Sequence, residues 1–400
     1  MGDRKLRSEP KNTERVSAPI VKKPKGRIPE LDGIRGAAIL MVIVWHYFFS
    51  QIHPSPHSLL SAMAIPFRLC WSGVDLFFVL SGFLIGGILV DSREAANYFR
   101  VFYVRRVCRL GPVYLLLLTS FALVYRLSDP HGRFSWLLEN PLPGASYATF
   151  TQNVVMGLRG TFGPTWLAPT WSLAVEEQFY SILPVLVWAL SPKALHRTLL
   201  VAICAAPLLR APFSEIVGQV EMPMRSDSLL LGVLVAIGVR DEWFLATLRS
   251  QRRTLGGVLL VLLAGAALMC VHGSWFGVFI QTWLAALYSV LILTPFADGH
   301  ALVSRALRAG ALRFFGQISY SLYLVHQIVA GLLHGLVYGH EPRIDDLSSA
   351  ALTGLSLGIS VALAYAIFHL IEKKAVAYGH RHVYVAKREA AAVTTSAPGI

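Results

Sequence analysis

The chain has 400 residues, of which 54% are apolar and only 15% carry a formal charge. Because soluble domains have about 25% charged residues, this composition excludes a soluble globular protein and indicates a membrane protein with several spans. The net charge of +13 is distributed over separate short turns. It therefore does not form the continuous basic stripe of a nucleic-acid-binding surface, and no nucleic-acid partner is expected.

The ends of the chain differ from its middle. Residues 1–30 are polar and basic, without a cleavable signal pattern, and predict a disordered cytosolic tail. Residues 31–375 hold the apolar stretches and are predicted to form the transmembrane domain. Residues 376–400 end in a stretch rich in Ala, Thr and Ser and predict a second disordered cytosolic tail. The four cysteines include no CxxC pair, so neither a disulfide framework nor a bound metal is expected.

Ten apolar segments follow one another between the tails. They predict an all-α fold, a polytopic membrane bundle of about ten transmembrane helices. The fifth and sixth segments are the least regular, because prolines interrupt them. The segments span 32–53, 68–90, 111–127, 167–190, 198–211, 226–239, 254–271, 277–297, 314–338 and 349–371.

The basic residues indicate how the bundle is oriented. Most of the 36 Lys and Arg fall in the two tails and in alternate connections between segments. The positive-inside rule places these parts in the cytosol and predicts a multi-pass protein of the cell's inner or plasma membrane, with both termini cytosolic. The longest connection on the opposite side, 128–166, is long enough for a lid or a re-entrant segment.

The first apolar segment carries an arginine and a histidine eleven residues apart. Eleven residues of α-helix make about three turns and about 16 Å of rise, so Arg35 and His46 lie on nearly one face. Such groups are costly inside a membrane and tend to mark functional paths. The structural alternative is that Arg35 reaches the interface and His46 makes one interhelical hydrogen bond.

Charged residues also occur in the second segment and in the turn after it. For Asp75, a structural pairing with Arg68 or another helix and a functional role are equally supported. Arg105, Arg106 and Arg109, which we call the arginine cluster, come to one side of a short helix at i, i+3 and i+4 spacing. Guanidinium groups bind phosphates through bidentate hydrogen bonds, and a cluster that only sets membrane orientation is the simpler alternative.

The fourth segment begins with several polar groups. Ser172 stands four residues before an acid, which favours a helix-capping hydroxyl over a nucleophile. Glu176 and Tyr180 share a helix face at i, i+4. Two adjacent acids, Glu176 and Glu177, at the start of a membrane helix favour pairing with Arg or His from another helix. Contact with a substrate is the functional alternative.

Polar residues recur in the sixth and ninth segments. Arg225 and Asp227 open the sixth segment as a candidate ion pair. In the ninth segment, Tyr320 and Tyr323 lie one turn apart, and His326 lies one turn further along. A buried histidine in such a position is more often a packing group than a catalyst.

Taken in order along the chain, these motifs resemble those of the membrane acyltransferase 3 family, which O-acetylates or O-acylates surface polysaccharides, lipids and some antibiotics. The chain resembles the minimal, transmembrane-only form of that family. Glu372-Lys373 is a weak closing match, because the family usually has a proline where Lys374 stands. The other matches are Leu31-Asp-Gly-Ile-Arg35-Gly with His46, Gly73-Val-Asp-Leu-Phe-Phe-Val-Leu-Ser-Gly-Phe-Leu84, Arg105-Arg-x-x-Arg109, Thr170-Trp-Ser-Leu-x-x-Glu176-x-x-Phe-Tyr180, Arg225-x-Asp227 with Gly232, and Ile318-Ser-Tyr-Ser-Leu-Tyr-Leu-x-His326.

The resemblance implies an enzyme that takes an acyl group, usually acetyl, from cytosolic acyl-CoA. Acetyl-CoA would be a co-substrate, and no cofactor would be bound permanently. His46 would be the general base for an acceptor hydroxyl, with Asp75 or Glu176 orienting its imidazole or stabilising its protonated form. Arg35 and the arginine cluster would bind the coenzyme A phosphates. The supporting positions would be Ser172, Tyr180, Asp227, Tyr320 and His326.

The expected partners are membrane lipids, acyl-CoA and a carbohydrate or lipid-linked acceptor. A transporter or flippase of a glycan or lipid is an alternative, and inverted repeats would favour it, but the two halves of the sequence do not look alike. A non-catalytic scaffold gives no reason for so many titratable groups inside the membrane. An acyltransferase that modifies a small cytosolic metabolite is the third alternative.

Overall fold

The computed structural model describes residues 28–52, 59–129, 132–213, 215–272 and 277–386. The predicted tails lie outside the described residues up to position 27 and from position 387 onward. Within the described ranges every regular element is a helix, apart from one isolated bridge between Ala95 and Ala386. The predicted all-α class is therefore confirmed.

Ten long helices lie within the described residues and correspond to the ten predicted segments. They are α1 (Pro29–Val44), α2 (Gly73–Ser92), α3 (Tyr98–Leu127), α4 (Thr170–Ala189), α5 (Pro192–Arg210), α6 (Met222–Gly238), α7 (Arg252–His272), α8 (Ile280–Ala297), α9 (Gly310–Val337) and α10 (Leu347–Ile367). A π-helical turn, Trp45–Phe49, extends α1. A second one, Phe368–Glu372, extends α10 and leads into the helix Lys373–His380. Shorter helices in the connections are Leu59–Ala64, Ser135–Leu138, Gly144–Ala148, Gln152–Arg159, Glu215–Val220, Glu242–Ser250 and Leu302–Leu307.

Eight of the long helices in the described part of the chain are long and apolar enough to cross a membrane, as expected of a polytopic membrane protein. The other two are α4 and α6. The first carries the adjacent acids Glu176 and Glu177, and the second has only 17 residues. Most residues of both helices are buried, so they contact protein more than lipid and tolerate a lower hydropathy.

The largest difference from the predicted boundaries concerns α3. This helix begins at Tyr98 and runs for 30 residues, whereas its apolar segment begins at 111. Pro112 lies inside it and removes only one backbone hydrogen bond. The polar first turns remain helical because Lys373–His380 packs on them. The prediction of a short helix for the arginine cluster is therefore wrong, since the cluster belongs to a long one.

Close helix contacts at glycines form the centre of the bundle. A Cβ built on Gly82 of α2 would lie 1.8 Å from the Leu229 carbonyl oxygen of α6, and Gly232 of α6 meets α2 in the same way. A Cβ on Gly316 of α9 would lie 1.9 Å from the Asp32 carbonyl oxygen of α1. Small residues such as Gly82 let membrane helices approach this closely.

Residues 381–386, which we call the C-terminal strap, fold back onto the start of α3. Asn97 Nδ2 donates to the Val383 carbonyl oxygen at 2.9 Å, and the same side chain accepts from the strap backbone. Arg105 donates to the His382 carbonyl oxygen from Nε at 3.0 Å and from Nη2 at 2.7 Å. These described residues of the predicted C-terminal tail are therefore attached to the bundle.

Candidate active site

Two cavities lie back to back in the bundle. The inner cavity has a volume of about 300 Å³ and lies toward the end where α1 begins. The outer cavity has a volume of about 320 Å³ and lies toward the end where α1 stops. Val74 and Tyr323 line both cavities. These two side chains therefore form a thin wall between them.

The inner cavity is lined by the basic residues predicted to bind phosphates. Three helices supply its charged side chains, and all but one of these are cationic. They are Arg35 from α1, Arg105, Arg106 and Arg109 from α3, and Glu176 from α4, beside which the hydroxyl-bearing Tyr180 also lines the cavity. Four arginines against one glutamate give the cavity a positive potential that attracts anions. The expected grouping of the arginine cluster on one side is confirmed.

The three members of the arginine cluster have different partners. Arg105 is bound to the strap carbonyl, whereas the Arg106 guanidinium lies 5.6 Å from the centre of the Tyr180 ring. Arg109 Nη1 lies 3.8 Å from Glu372 Oε1, which is too long for a hydrogen bond. Arg106 and Arg109 thus keep more of their donors for a ligand than Arg105 does.

The start of α4 contributes the acidic side of the inner cavity. Glu176 and Tyr180 both line it, as their i, i+4 spacing predicts. The Tyr180 hydroxyl is hydrogen-bonded to Ser81 of α2. Ser72 lies at the N-terminus of that same helix, at the opposite end from the inner cavity, and is hydrogen-bonded to Tyr288 of α8 at 2.5 Å.

The prediction that Ser172 caps α4 is wrong. The helix begins at Thr170, so Ser172 is its third residue and not the residue before it. Its hydroxyl donates back to the Pro169 carbonyl oxygen at 3.1 Å and is hydrogen-bonded to the Tyr323 hydroxyl at 2.8 Å. Ser172 therefore positions Tyr323, and it lines the inner cavity. Tyr320, one turn earlier on α9, also lines that cavity and donates to the Leu110 carbonyl oxygen at 2.8 Å.

His46 lines the outer cavity and is paired with a second histidine. It lies in the π-helical turn that follows α1, and Arg35 lines the other cavity three turns earlier. His46 Nδ1 lies 3.2 Å from Nε2 of His326 on α9 and 3.1 Å from the Val42 carbonyl oxygen. His326 is completely buried. The predicted orientation of His46 by Asp75 or by Glu176 is not formed, because its ring partners are His326 and the Val42 carbonyl.

The carbonyl groups around the histidine pair determine where the ring protons are. Nδ1 of His326 lies 2.8 Å from the Tyr323 carbonyl oxygen and 3.2 Å from that of Leu322. A carbonyl oxygen only accepts, so this nitrogen carries the proton and Nε2 of neutral His326 is an acceptor. His46 Nδ1 therefore donates to it, and His46 Nε2 is left with the lone pair that a general base needs.

Asp75 pairs with an arginine of α6. Its Oδ1 lies 2.6 Å from Arg225 Nη2, and Arg225 lines the outer cavity with His46. The predicted structural alternative was a pairing with Arg68 or with another helix. Arg68 is the wrong partner, because it donates to the Cys270 carbonyl oxygen at 2.8 Å, and the pairing with another helix is confirmed. Among the residues that line the outer cavity, Asp75 therefore binds Arg225 and not the His46 imidazole.

The predicted ion pair between Arg225 and Asp227 is wrong. Residues two apart on a helix do not face each other, so the two side chains find partners on different helices. Asp227 accepts from Arg210 Nη2 of α5 at 2.9 Å and from Thr282 of α8 at 2.5 Å. It lines neither of the two cavities. Its contacts join three helices outside the candidate site.

Two relationships in the site were not predicted from the sequence. These are the contact between His46 and His326 and the position of Arg225 in the outer cavity. The available signal was that each is a polar residue in an apolar segment. Which polar residues meet depends on helix crossings and on the π-helical turn at His46. Spacing along the chain does not give either of these.

The comparison with known proteins agrees with this architecture. Residues 28–369 match the acyltransferase domain family. The chain belongs to the acyltransferase 3 family. This match confirms the resemblance drawn from the motifs, and the enzyme class expected from them is the class that the family carries.

Curated relatives of this chain are bacterial O-acetyltransferases. The peptidoglycan O-acetyltransferase OatA of Listeria monocytogenes is 24% identical over 345 residues, which is 79% of this chain and 51% of that protein. A putative peptidoglycan O-acetyltransferase of Bacillus subtilis, YrhL, is 25% identical over 380 residues, which is 88% of this chain and 56% of that protein. A putative O-acetyltransferase of Staphylococcus aureus is 24% identical over 326 residues, which is 77% of this chain and 51% of that protein. The chain therefore spans about half the length of the curated relatives it matches, and no solved structure gives a significant match.

Proposed function

We propose that the protein is an integral-membrane O-acetyltransferase that moves an acetyl group from cytosolic acetyl-CoA to a hydroxyl of a carbohydrate or lipid-linked glycan. The observation that carries this proposal is the pair of cavities that share a wall at Val74 and Tyr323. One cavity is cationic, and the other contains an imidazole among aromatic rings. Two substrates of different chemistry can therefore approach each other from opposite ends of the bundle.

The inner cavity suits the donor. Coenzyme A carries several phosphate charges, and guanidinium groups bind phosphates with charge-assisted, bidentate hydrogen bonds. Arg35, Arg106 and Arg109 line this cavity and would bind those phosphates, while Arg35 also forms an ion pair with Asp32 at 3.2 Å. The pantetheine arm is narrow and would extend toward Tyr323, bringing the thioester to the wall beside the outer cavity.

The outer cavity suits a sugar hydroxyl. Three tryptophans line it together with the amide side chains of Gln219 and Gln327. Aromatic faces stack on sugar rings, and amides hydrogen-bond hydroxyl groups. The tryptophans are Trp45, Trp71 and Trp171. The relatives named as peptidoglycan O-acetyltransferases support a carbohydrate as the acceptor class.

His46 would start the reaction as general base. Its Nε2 takes the proton of the acceptor hydroxyl while that oxygen attacks the thioester carbonyl carbon. The new C–O bond forms, the C–S bond breaks, and the departing coenzyme A thiolate takes the proton back from the imidazolium. The His46 Nδ1–H bond to His326 stabilises the imidazolium that forms in between.

The orientation proposed here follows the basic turns. Both termini and the inner cavity would face the cytosol, and the outer cavity would face the other side of the cell's inner or plasma membrane. A donor and an acceptor that never share a compartment can then react through the bundle.

Inside-out membrane vesicles test the proposal. Acetyl-CoA labelled in the acetyl group is added to the exposed cytosolic face, and chitotetraose, an amino-sugar oligosaccharide, is enclosed in the lumen. Labelled chitotetraose is the expected product, and His46→Ala should lower its rate by about 10²–10⁴-fold. His369→Ala is the matched control, because His369 belongs to neither cavity and hydrogen-bonds the Tyr365 carbonyl.

Other outcomes identify the alternatives. Passage of chitotetraose across the membrane without labelling would indicate a transporter. Labelling only when both substrates are on the cytosolic face would indicate an enzyme for cytosolic metabolites. Retention of more than about a tenth of the rate in His46→Ala would overturn the role of the imidazole.

A further inference from the structure

A buried ion pair borders the outer cavity beside His46. Arg225 is 1% exposed and Asp75 is fully buried, and Arg225 Nη2 lies 2.6 Å from Asp75 Oδ1. Ser228 of α6 donates to the same carboxylate oxygen at 3.2 Å. Arg225 and His46 line the cavity together. A rigidly held arginine thus lines the space in which the proposed reaction takes place.

The hydrogen bonds of Arg225 are incomplete. Among the described residues its Nε and Nη1 have no hydrogen-bond partner. The rings of Phe78 and Trp171 lie 5.7 and 5.9 Å from the guanidinium carbon, and they stabilise the charge without a conventional acceptor atom. Leaving buried donors unpaired is costly. Donors of Arg225 are therefore available to an oxygen atom that enters the cavity.

The charge of the ion pair indicates which kind of oxygen it fits. Asp75 neutralises Arg225, so the pair has no net charge with which to attract a permanently anionic ligand. Such a ligand would also be repelled by the nearby carboxylate. A carbonyl oxygen that becomes negative only during the reaction is better matched, because fixed donors stabilise charge at the moment it develops.

We propose that Arg225 is a catalytic residue that stabilises the oxyanion of acyl transfer, and that Asp75 is the positioning residue that holds it. This inference rests on the proposed function. When the acceptor oxygen attacks the thioester, the electron pair of the C=O bond moves onto the carbonyl oxygen, and Arg225 donates hydrogen bonds to it. When the C=O bond forms again, the C–S bond breaks and the thiolate leaves with the proton from His46.

Steady-state kinetics of the full chain give the first test. Arg225→Gln should lower kcat by about 10²–10³-fold, the effect of losing an oxyanion donor, with KM for acetyl-CoA and for chitotetraose changed less than threefold. A second variant distinguishes a loss of catalysis from a loss of folding. Replacing the whole pair by Arg225→Met with Asp75→Leu leaves no unpaired buried charge, and such replacements often preserve stability. The same loss of kcat is expected in it.

A spectroscopic measurement separates catalysis from structure. The probe is the ketone analogue of acetyl-CoA, in which a methylene group replaces the thioester sulfur, labelled with ¹³C at the carbonyl. In the wild-type protein the carbonyl resonance should move downfield on binding, because hydrogen-bond donors polarise the carbonyl. In Arg225→Gln the analogue should bind with unchanged affinity but without that shift.

Arg210→Gln is the matched control, because Arg210 and Asp227 form a comparably buried pair, 2.9 Å apart, away from both cavities. It should lower the thermal stability while kcat per folded molecule and the ¹³C shift stay unchanged. A normal kcat in the Arg225 variants, or a ¹³C shift that persists without Arg225, overturns the inference. A loss confined to the chitotetraose KM also overturns it, since Arg225 would then bind the acceptor. Failure of the wild type to acetylate would instead overturn the proposed function.

Discussion

Truncation of His326 should slow the reaction by an intermediate factor. In His326→Ala the acceptor of the His46 Nδ1–H bond, 3.2 Å away, is removed. That bond becomes charge-assisted when His46 takes up a proton, and hydrogen bonds to charged groups are worth about 1.5–3 kcal/mol. Since each 1.36 kcal/mol changes a rate tenfold, kcat should fall by about ten- to hundredfold.

Two contacts limit the loss. The Val42 carbonyl, 3.1 Å from His46 Nδ1, still accepts the Nδ1 proton, so the useful tautomer persists. The Tyr47 hydroxyl donates at 2.6 Å to the main-chain carbonyl of residue 326, which the substitution leaves in place. His326→Ala should therefore retain more activity than His46→Ala.

The assay is acetylation of chitotetraose at saturating acetyl-CoA, with thermal unfolding in detergent as the measure of folding. His326→Gln is the conservative comparison, because its side-chain carbonyl can accept from His46 and should restore part of kcat. A loss in His326→Ala as complete as in His46→Ala would mean that His326 itself exchanges the proton. An unchanged kcat would refute the arrangement of ring protons derived above.

Three further predictions concern the inner cavity and the helix packing. Arg106→Gln should raise KM for acetyl-CoA by about tenfold. Arg105→Gln should raise this KM less, because Arg105 is already bound to the C-terminal strap. Initial rates measured over a range of acetyl-CoA concentrations with each variant check both values. Raising the ionic strength should raise the wild-type KM for acetyl-CoA and leave that for chitotetraose unchanged, since salt screens only the charged donor's attraction. Gly82→Ala should cost about 1–3 kcal/mol of stability by overpacking, measured by thermal unfolding, while Gly354→Ala, whose Cβ meets nothing within 4 Å, should leave the midpoint nearly unchanged.

The sequence predicts the helices of this fold well because length and apolarity decide them. Each of the ten segments became a helix, and the arginine cluster became one side of a cavity. The boundary of α3 was missed because its polar first turns are stabilised by Lys373–His380, a contact between residues more than 260 positions apart. Apolarity alone does not reveal such support.

The sequence predicts which residues belong to the candidate site better than it predicts which of them contact each other. Arg35, His46 and Asp75 are unusual in apolar segments, and each lines a cavity or pairs with a residue that does. The partner of each depends on helix crossings. His46 meets His326 across 280 positions, and Asp75 pairs with Arg225 because α2 and α6 pack closely at Gly82 and Gly232, which brings the two side chains together.

The C-terminal strap has a consequence for comparing members of this family. The family match ends at residue 369, yet Val376 and His380 line the inner cavity and the strap is bound to Arg105. The lining of the inner cavity thus comes partly from chain that the shared family region does not include. Relatives that align well up to that point can still differ in the shape of this cavity, and a protein shortened to the family boundary would lose two of its lining residues, Val376 and His380.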